Sequence, residues 1–229
     1  MLISNPITPR RIELKEVFRA RDLGTFERSL KLSSLRFYQP YSPRRINSLY
    51  FDTIDFNSLE ESMEGFSTRS KVRLRWYGKQ KSLTTATLEI KRKKGIFSWK
   101  KLYSNQFNVK PLAETWVDFI STDPSCRPIA AYRIRSQRVV SIIAYDRTYY
   151  SSSNGKVRIT IDENLRTFDQ RTSNKPNLRF ERQHLNQIVI EAKVDASDAN
   201  FLPIVFDQLP FSPKRFSKYC ESLIPQKHI

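Results

Sequence analysis

The stretch RSKVRLRWYG at residues 69–78 sets Lys71, Arg73 and Arg75 against Val72, Leu74 and Trp76 at a spacing of two. Successive side chains of a strand point to opposite faces, so the segment reads as a β-strand with one cationic and one apolar face. Two further stretches repeat the pattern. In TLEIKRKK (87–94) Glu89 and Lys91 alternate with Leu88 and Ile90, and in QIVIEAKV (187–194) Glu191 and Lys193 alternate with Ile190, Ala192 and Val194. One such strand is the ordinary half-exposed member of a sheet. Three that combine Arg-x-Arg or Glu-x-Lys are more basic than a wet face needs, and point to a channel for a polyanion.

The composition agrees. The 229 residues carry 40 Lys plus Arg against 23 Asp plus Glu, a formal net charge of +17. Such a field concentrates phosphate-rich ligands without choosing among nucleic acid, polyphosphate, nucleotides and anionic lipid. With 39% hydrophobic residues the chain can bury a core of its own, and a single domain over residues 1–229 is expected. No apolar run reaches the ~18 residues of a membrane span, and MLISNPITPRR has no apolar core of signal-peptide length. Cys126 and Cys220 stand apart, outside any ligand spacing, so buried thiols in a reducing cytoplasm are expected.

Working outward, RRIELKEV (10–17) alternates Arg11, Glu13 and Lys15 with Ile12 and Leu14 and reads as a first strand. Leu23, Phe26 and Leu30 give a helix from about Asp22 to Leu32, and YSPRRINSLYFDT (41–53) a second strand ending near Asp52. Asp55 is expected to cap a short helix bearing Phe56, Leu59 and Met63 and ended by Gly65. Strands over 69–77, 84–93 and 97–109 follow, joined by GKQKS and KKG turns, and Leu112, Trp116, Phe119 and Ile120 return to helical periodicity over 112–120. RVVSIIAYDRTYY and KVRITID bracket SSSNG as a hairpin, with Lys156, Arg158, Thr160 and Asp162 on one face. The polar stretch from Arg166 to Asn186 reads as loop or ragged strand. QIVIEAKV is the last strand, and a helical region closes the chain. In it Ser212 and Pro213 read as the cap and first residue of a helix carrying Lys214, Ser217 and Lys218 on one side.

This count gives an α+β protein built on an antiparallel sheet, without the regular alternation of a parallel one. Outward cationic faces would repel across neighbouring strands. Turned inward, they require a sheet closed around water and a counter-anion, and a closed barrel of about eight strands has room for a thin ligand, with helices packed on its aromatic outside.

In order along the chain, ELK, NSLYFDT, KVRLRWYG, TLEIKRKKG, AYDR, VRITID, VIEAK and PKRFSKY closely resemble the VTC-type polyphosphate polymerase domain of the CYTH/triphosphate tunnel metalloenzyme superfamily, from about Arg11 to Tyr219. The resemblance implies a tunnel whose basic interior binds a triphosphate, with a divalent metal on glutamates and transfer of the γ-phosphate of ATP to a growing polyphosphate chain. It implies tunnel roles for Lys15, Arg73, Arg75, Lys91, Arg147 and Arg158, a metal role for Glu191, and a closing element in Lys214, Ser217 and Lys218. Strand parity separately places Lys15, Arg73, Arg75, Lys91, Arg158 and Glu191 on polar faces. Lys193 shares its face with Glu191 and joins the ligand-binding set. The first strand carries Arg11 where the wider superfamily has a further Glu, which leaves few carboxylates for a two-metal scheme. Without the helical regulatory domain and membrane region of the fungal relatives, the chain is expected to be a free-standing catalytic domain, with a membrane protein as a conceivable partner.

Phosphoryl transfer needs charge on non-bridging oxygens, positioning and a metal. With only His184 and His228, a hard cation on oxygen is favoured over zinc: Mn²⁺ or Mg²⁺ on Glu191, with Glu13 or Glu89 either assisting or serving as salt bridges that position Lys15 or Lys91. Arg44, Arg45, Lys100 and Lys101 read as solvent-facing, with Asp146 and Asp162 open. Five glycines and no Gly-rich loop argue against a P-loop, and Trp76, Tyr77, Tyr145 and Tyr149 read as core or rim residues more readily than as a base stack. A triphosphate or polyphosphate hydrolase of the same fold and a noncatalytic polyphosphate-binding module are the alternatives. Nucleic acid is not the expected partner, because the cations sit at strand parity beside acids rather than on an open aromatic sheet.

Overall fold

The computed structural model describes residues 7–79, 83–122, 126, 128–172, 174–184 and 186–224. Its strands are β1 (Arg11–Arg19), β2 (Arg44–Asp52), β3 (Thr68–Tyr77), β4 (Thr84–Lys94), β5 (Phe97–Val109), β6 (Ile120–Thr122), β7 (Arg138–Ser151), β8 (Val157–Asp169), β9 (Arg182–Gln183) and β10 (Gln187–Asp195). The helices are α1 (Leu23–Leu32), α2 (Asn57–Glu64), α3 (Trp116–Phe119), α4 (Pro128–Arg135), α5 (Leu202–Gln208) and α6 (Lys218–Leu223), with 3₁₀ turns at Ala20–Asp22 and Ala196–Phe201. The sheet runs β1-β10-β8-β7-β2-β3-β4-β5, all antiparallel, and closes where Arg11 and Ile12 meet Ser98 and Phe97. The result is a closed antiparallel barrel of eight strands, with β6 and β9 outside the ring.

Parity decides which face is which. Val72, Leu74 and Trp76 of β3 point outward into a core with Leu88, Ile90, Tyr103 and Phe107, covered by Phe119 of α3 and Ala130 of α4. On the other flank Val157, Ile159, Ile161, Ile190, Ala192 and Val194 pack under Phe26 and Leu30 of α1 and Val205 of α5. Each of these large side chains contributes roughly 1.5–3 kcal/mol by leaving water. The hairpin joining β7 to β8 turns at Gly155, whose φ of +72° only glycine adopts without strain, and the Ser152 hydroxyl accepts from the Val157 N–H at 2.9 Å.

Several local expectations change. The stretch 112–120 forms a single helical turn, α3, capped by Thr115, because its last residues leave to pair as β6 with β5. Helix α2 is capped from upstream of Asp55: the Asp52 carboxylate accepts from the N–H groups of Ser58 at 2.9 Å and Leu59 at 3.1 Å, and the Thr53 hydroxyl from Asn57 at 3.0 Å. β8 runs on through Arg166 to Asp169, and Arg182–Gln183 of the polar stretch pairs back onto it. The expected helix at Ser212 does not form. Residues 210–217 form neither helix nor strand, and α6 starts at Lys218 with Ser217 as its cap. Nor do all helices lie outside, since Tyr219, Cys220 and Leu223 of α6 pack on Ile46, Tyr50, Ile143 and Tyr145, side chains of the same parity as the tunnel cations. Within the turn GKQKS, residues 80–82 lie outside the described residues.

Candidate functional site

The inward parity of β1, β3, β4, β5, β7 and β10 surrounds a cavity of about 620 Å³ lined by Lys15, Lys71, Arg73, Arg75, Lys91, Lys100, Arg147 and Lys193, with Glu13 and Glu191 as its carboxylates. On one wall Arg73 stands opposite Glu89 across the β3–β4 ladder. Its Nε and Nη2 donate to one Glu89 oxygen at 3.0 and 2.6 Å, and its Nη1 donates to the Tyr50 hydroxyl at 2.9 Å. Arg75 reaches Glu89 at 3.6 Å and Lys100 reaches it at 3.1 Å. Burial alone would raise Glu89, but these three cations hold it well below the usual carboxylate range. Glu89 is therefore committed to three cations and stands apart from the expected metal set. Lys100, read as solvent-facing, lines the cavity instead, and burial together with Arg73 and Arg75 pushes its ammonium well down despite Glu89.

The facing wall is β1 against β10, where Glu13 pairs in register with Lys193 and Lys15 with Glu191. Glu191 is contacted by Lys193 at 3.0 Å, by Lys15 at 3.7 Å and by Arg147 at 3.8 Å, while Lys91 holds Glu13. Burial opposes ionisation of both glutamates, yet Lys193 and Lys15 hold Glu191 well below the usual range and Lys91 lowers Glu13. Burial pushes Lys193 down to about 8 in spite of Glu191.

Behind this wall Arg147 and Lys218 share Asp162, a fully buried carboxylate, through bonds of 2.7 Å from Arg147 Nη2 and 2.6 Å from Lys218 Nζ. Asp162, left open by the sequence, is thus internal. Lys214, Ser217 and Lys218 all line the cavity, but Lys218 is tied to Asp162 by its ammonium, and Lys214 is an exposed residue of the strap 210–217, its N–H donating to the Lys15 carbonyl at 2.7 Å. The common helical face expected of Lys214, Ser217 and Lys218 does not exist, because the strap is tied to neighbouring elements: Arg215 caps the last carbonyls of α2, donating to Met63 at 2.6 Å, and lies over Gly65. Arg158 keeps inward parity on β8 but lies outside the cavity lining, its guanidinium on Asp195 at 2.6 Å.

Lys71 is the other member missing from the expected site. It alternates with Val72 in the sequence, but its surroundings depend on a distant strap, which no local pattern discloses. Among the described residues no group of three or more His, Cys, Asp or Glu side chains is placed to hold a metal ion, so Glu191, Glu13 and Glu89 do not converge. No helix among them is long and apolar enough to cross a membrane.

A sequence search of curated proteins finds no significant match. Among solved structures, a protein from Hippeastrum described as a candidate adenylyl cyclase with a dominant triphosphatase activity superposes with a TM-score of 0.50 at 12% identity, over 95% of this chain and 98% of that one. The PH1819 protein from Pyrococcus horikoshii OT3 gives 0.49 at 12% identity, over 91% and 96%. The family model for the VTC domain matches residues 11–224, nearly the whole barrel with its closing helix, and the chain belongs to the VTC domain family.

Proposed function

We propose that this chain is a metal-dependent polyphosphate polymerase, transferring the γ-phosphoryl group of ATP to inorganic polyphosphate held in the tunnel. The observation that carries the reading is the wall of Arg73, Arg75 and Arg147 facing a cavity in which cations far outnumber the carboxylates. Arg75 in particular is short of acceptors: among the described residues it has only a 3.6 Å contact to Glu89 and a 3.3 Å bond to Tyr145, and its buried Nε has no partner there. A bound oxyanion satisfies such a fork, and the ion pairs of Glu89 with Arg73 and of Asp162 with Arg147 fix the other guanidiniums before ligand arrives.

Glu13 and Glu191 fit a hard divalent cation. They are two buried, ionised carboxylates that repel each other, and a hard cation takes one or two carboxylates and completes its shell with water and phosphate oxygens. When bound, such an ion would supply positive charge to offset that of the phosphate oxygens and of the leaving diphosphate. Arg73 and Arg75 hold the non-bridging oxygens of the transferred group, Arg147 and Lys193 orient the chain beside Glu191, and Lys15 and Lys91 keep the two glutamates ionised. ATP and polyphosphate are the partners in this reading. A reducing compartment such as the cytoplasm suits Cys126 and Cys220, which form no disulfide.

Hydrolysis, with water as acceptor, is the second reading, and the triphosphatase activity described for the Hippeastrum protein of the same fold favours it. Incubation with ATP labelled on the γ-phosphate and Mn²⁺, followed by electrophoresis of products, separates the two. Labelled chains longer than the substrate support polymerisation, whereas labelled orthophosphate alone assigns hydrolysis.

A further inference from the structure

On the side of the strap the cavity lining reaches the surface at Ser67, Gly95 and Ile96. Toward the other end of the barrel the lining stops at Arg75, Tyr145 and Arg147 on one wall and at Lys193 on the other. The strands run further. On the first wall the next side chains of inward parity are Arg44 of β2, in register with Arg147, Tyr77 at the end of β3, and Tyr149 of β7. On the second they are Arg158 and Asp195, which tie to each other at 2.6 Å.

The first of these groups is a cation enclosed by rings. The Arg44 guanidinium lies 5.0 Å from the centre of the Tyr149 ring, 5.2 Å from that of Tyr41 and 5.3 Å from that of Tyr77. Tyr41 meets Tyr149 edge-on at 5.8 Å, and Tyr149 also carries Arg147 at 5.9 Å, so the cluster abuts the arginine wall. Among the described residues Arg44 contacts no carboxylate, and ring faces hold it in place of an ion pair. Such contacts are weak at exposed sites. Tyr41 is exposed, and it lies three residues beyond Tyr38, where the connection from α1 to β2 is pinned to Ser151 by two backbone bonds of 2.9 Å. Its ring can therefore leave the cluster without disturbing a strand.

We propose that Arg44 with Tyr41, Tyr77 and Tyr149 forms a gate that decides which acceptor reaches the transferred phosphoryl group. The inference rests on the phosphoryl-transfer reading above and adds to it what selects between chain and water. A triphosphate entering beside the strap puts its terminal group deepest, against Arg75, with ADP toward the open mouth. In-line displacement requires the attacking oxygen on the side opposite the leaving oxygen, which is the end the cluster closes. With the gate closed, water alone attacks: the bond from the γ-phosphorus to the bridging oxygen breaks, ADP leaves with that oxygen, and the proton lost by water goes to solution. With the gate displaced, the end of a phosphate chain passes Arg147, and the new bond forms to its ionised terminal oxygen with no proton to remove.

Transfer from ATP labelled on the γ-phosphate to long inorganic polyphosphate, at saturating ATP and varied chain concentration, reads the gate. Calorimetric titration of inorganic triphosphate into the full chain reads the donor side. Tyr41→Ala is expected to lower the half-saturating concentration of chain roughly tenfold and to raise labelled chains against labelled orthophosphate, with triphosphate affinity as in wild type. Tyr41→Phe keeps the ring face and is expected to match wild type in both measurements. Unchanged chain dependence in Tyr41→Ala overturns the gate and leaves the tunnel reading standing. Labelled orthophosphate alone from both wild type and Tyr41→Ala overturns the transfer reading and the gate with it, and a wild type that does not bind triphosphate overturns the tunnel reading as well. Circular dichroism melting identifies any effect that comes from unfolding of Tyr41→Ala, in which case Tyr77→Ala, which removes another of the three rings, decides by the same readouts.

Discussion

Arg73 and Arg75 converge on one carboxylate, and Arg73 holds it: its Nη2 lies 2.6 Å from Glu89, while Arg75 approaches no closer than 3.6 Å. Two guanidiniums side by side on β3 therefore do different things in the empty protein. Arg73 is part of a formed ion pair. Arg75 is a desolvated cation waiting for an anion.

Arg75→Ala is accordingly expected to cost turnover far more than stability. It removes a charge poorly paired in the folded state, and the lost volume borders an open cavity rather than the packed core. Loss of one such transition-state donor costs about 10²–10³ in turnover. Steady-state kinetics beside thermal melting check this, with a melting temperature close to that of wild type.

Glu89→Gln should do the reverse in the empty protein. Removing the shared acceptor leaves Arg73, Arg75 and Lys100 buried together without their counter-charge, a loss of about 3 kcal/mol or more for a broken buried pair. Inorganic triphosphate, bringing negative charge to the same guanidiniums, should recover part of the lost melting temperature. Scanning calorimetry with and without triphosphate measures both effects, and a variant as stable as wild type would show that the three cations need no carboxylate.

Lys71 gives the empty protein a pH dependence of known sign. Its ammonium is pushed down to about 7 in the fold, so between pH 7 and the ordinary lysine value the unfolded chain binds more protons, and this residue's contribution makes stability rise with pH across that window. Lys71→Met lacks the contribution. Its melting temperature should exceed that of wild type by the most at pH 7 and below, by roughly 2–4 °C for each kcal/mol gained, with the gap closing toward pH 10. A gap independent of pH between 7 and 10 would contradict a depressed Lys71.

Glu191→Gln is expected to abolish metal-dependent turnover and to retain most of the affinity for polyphosphate. The amide is nearly isosteric but lacks the anionic charge a hard cation prefers, and it releases Lys15, Lys193 and Arg147 toward the ligand. A Mn²⁺ titration of activity beside polyphosphate binding tests this. Activity equal to wild type across the titration assigns Glu191 to the ion-pair network alone.

The barrel was legible because alternation in RSKVRLRWYG, TLEIKRKK and QIVIEAKV fixes which side chains share a face, and like-charge repulsion then turns those faces inward. Lys100 was not, since SWKKL places two lysines in succession and period-two reading cannot say which is inward; the pairing of β5 with both β4 and β1 decides it. The strap failed for another reason. Ser-Pro is a good helix start, but the Lys15 carbonyl and the end of α2 hold residues 214 and 215 by bonds that outweigh local propensity, and the helix waits for its cap at Ser217. Arg158 has the right parity and the wrong position along the barrel, a distinction that alternation does not carry.

The central claim is that a phosphate chain lies inside this barrel, along Arg73, Arg75 and Arg147. A crystal structure of the protein with inorganic triphosphate tests it most directly. The account predicts phosphate oxygens within hydrogen-bond distance of Arg75 Nε and of the guanidinium of Arg73 or Arg147. Triphosphate bound to surface lysines, with the tunnel holding only water at saturating ligand, would contradict it.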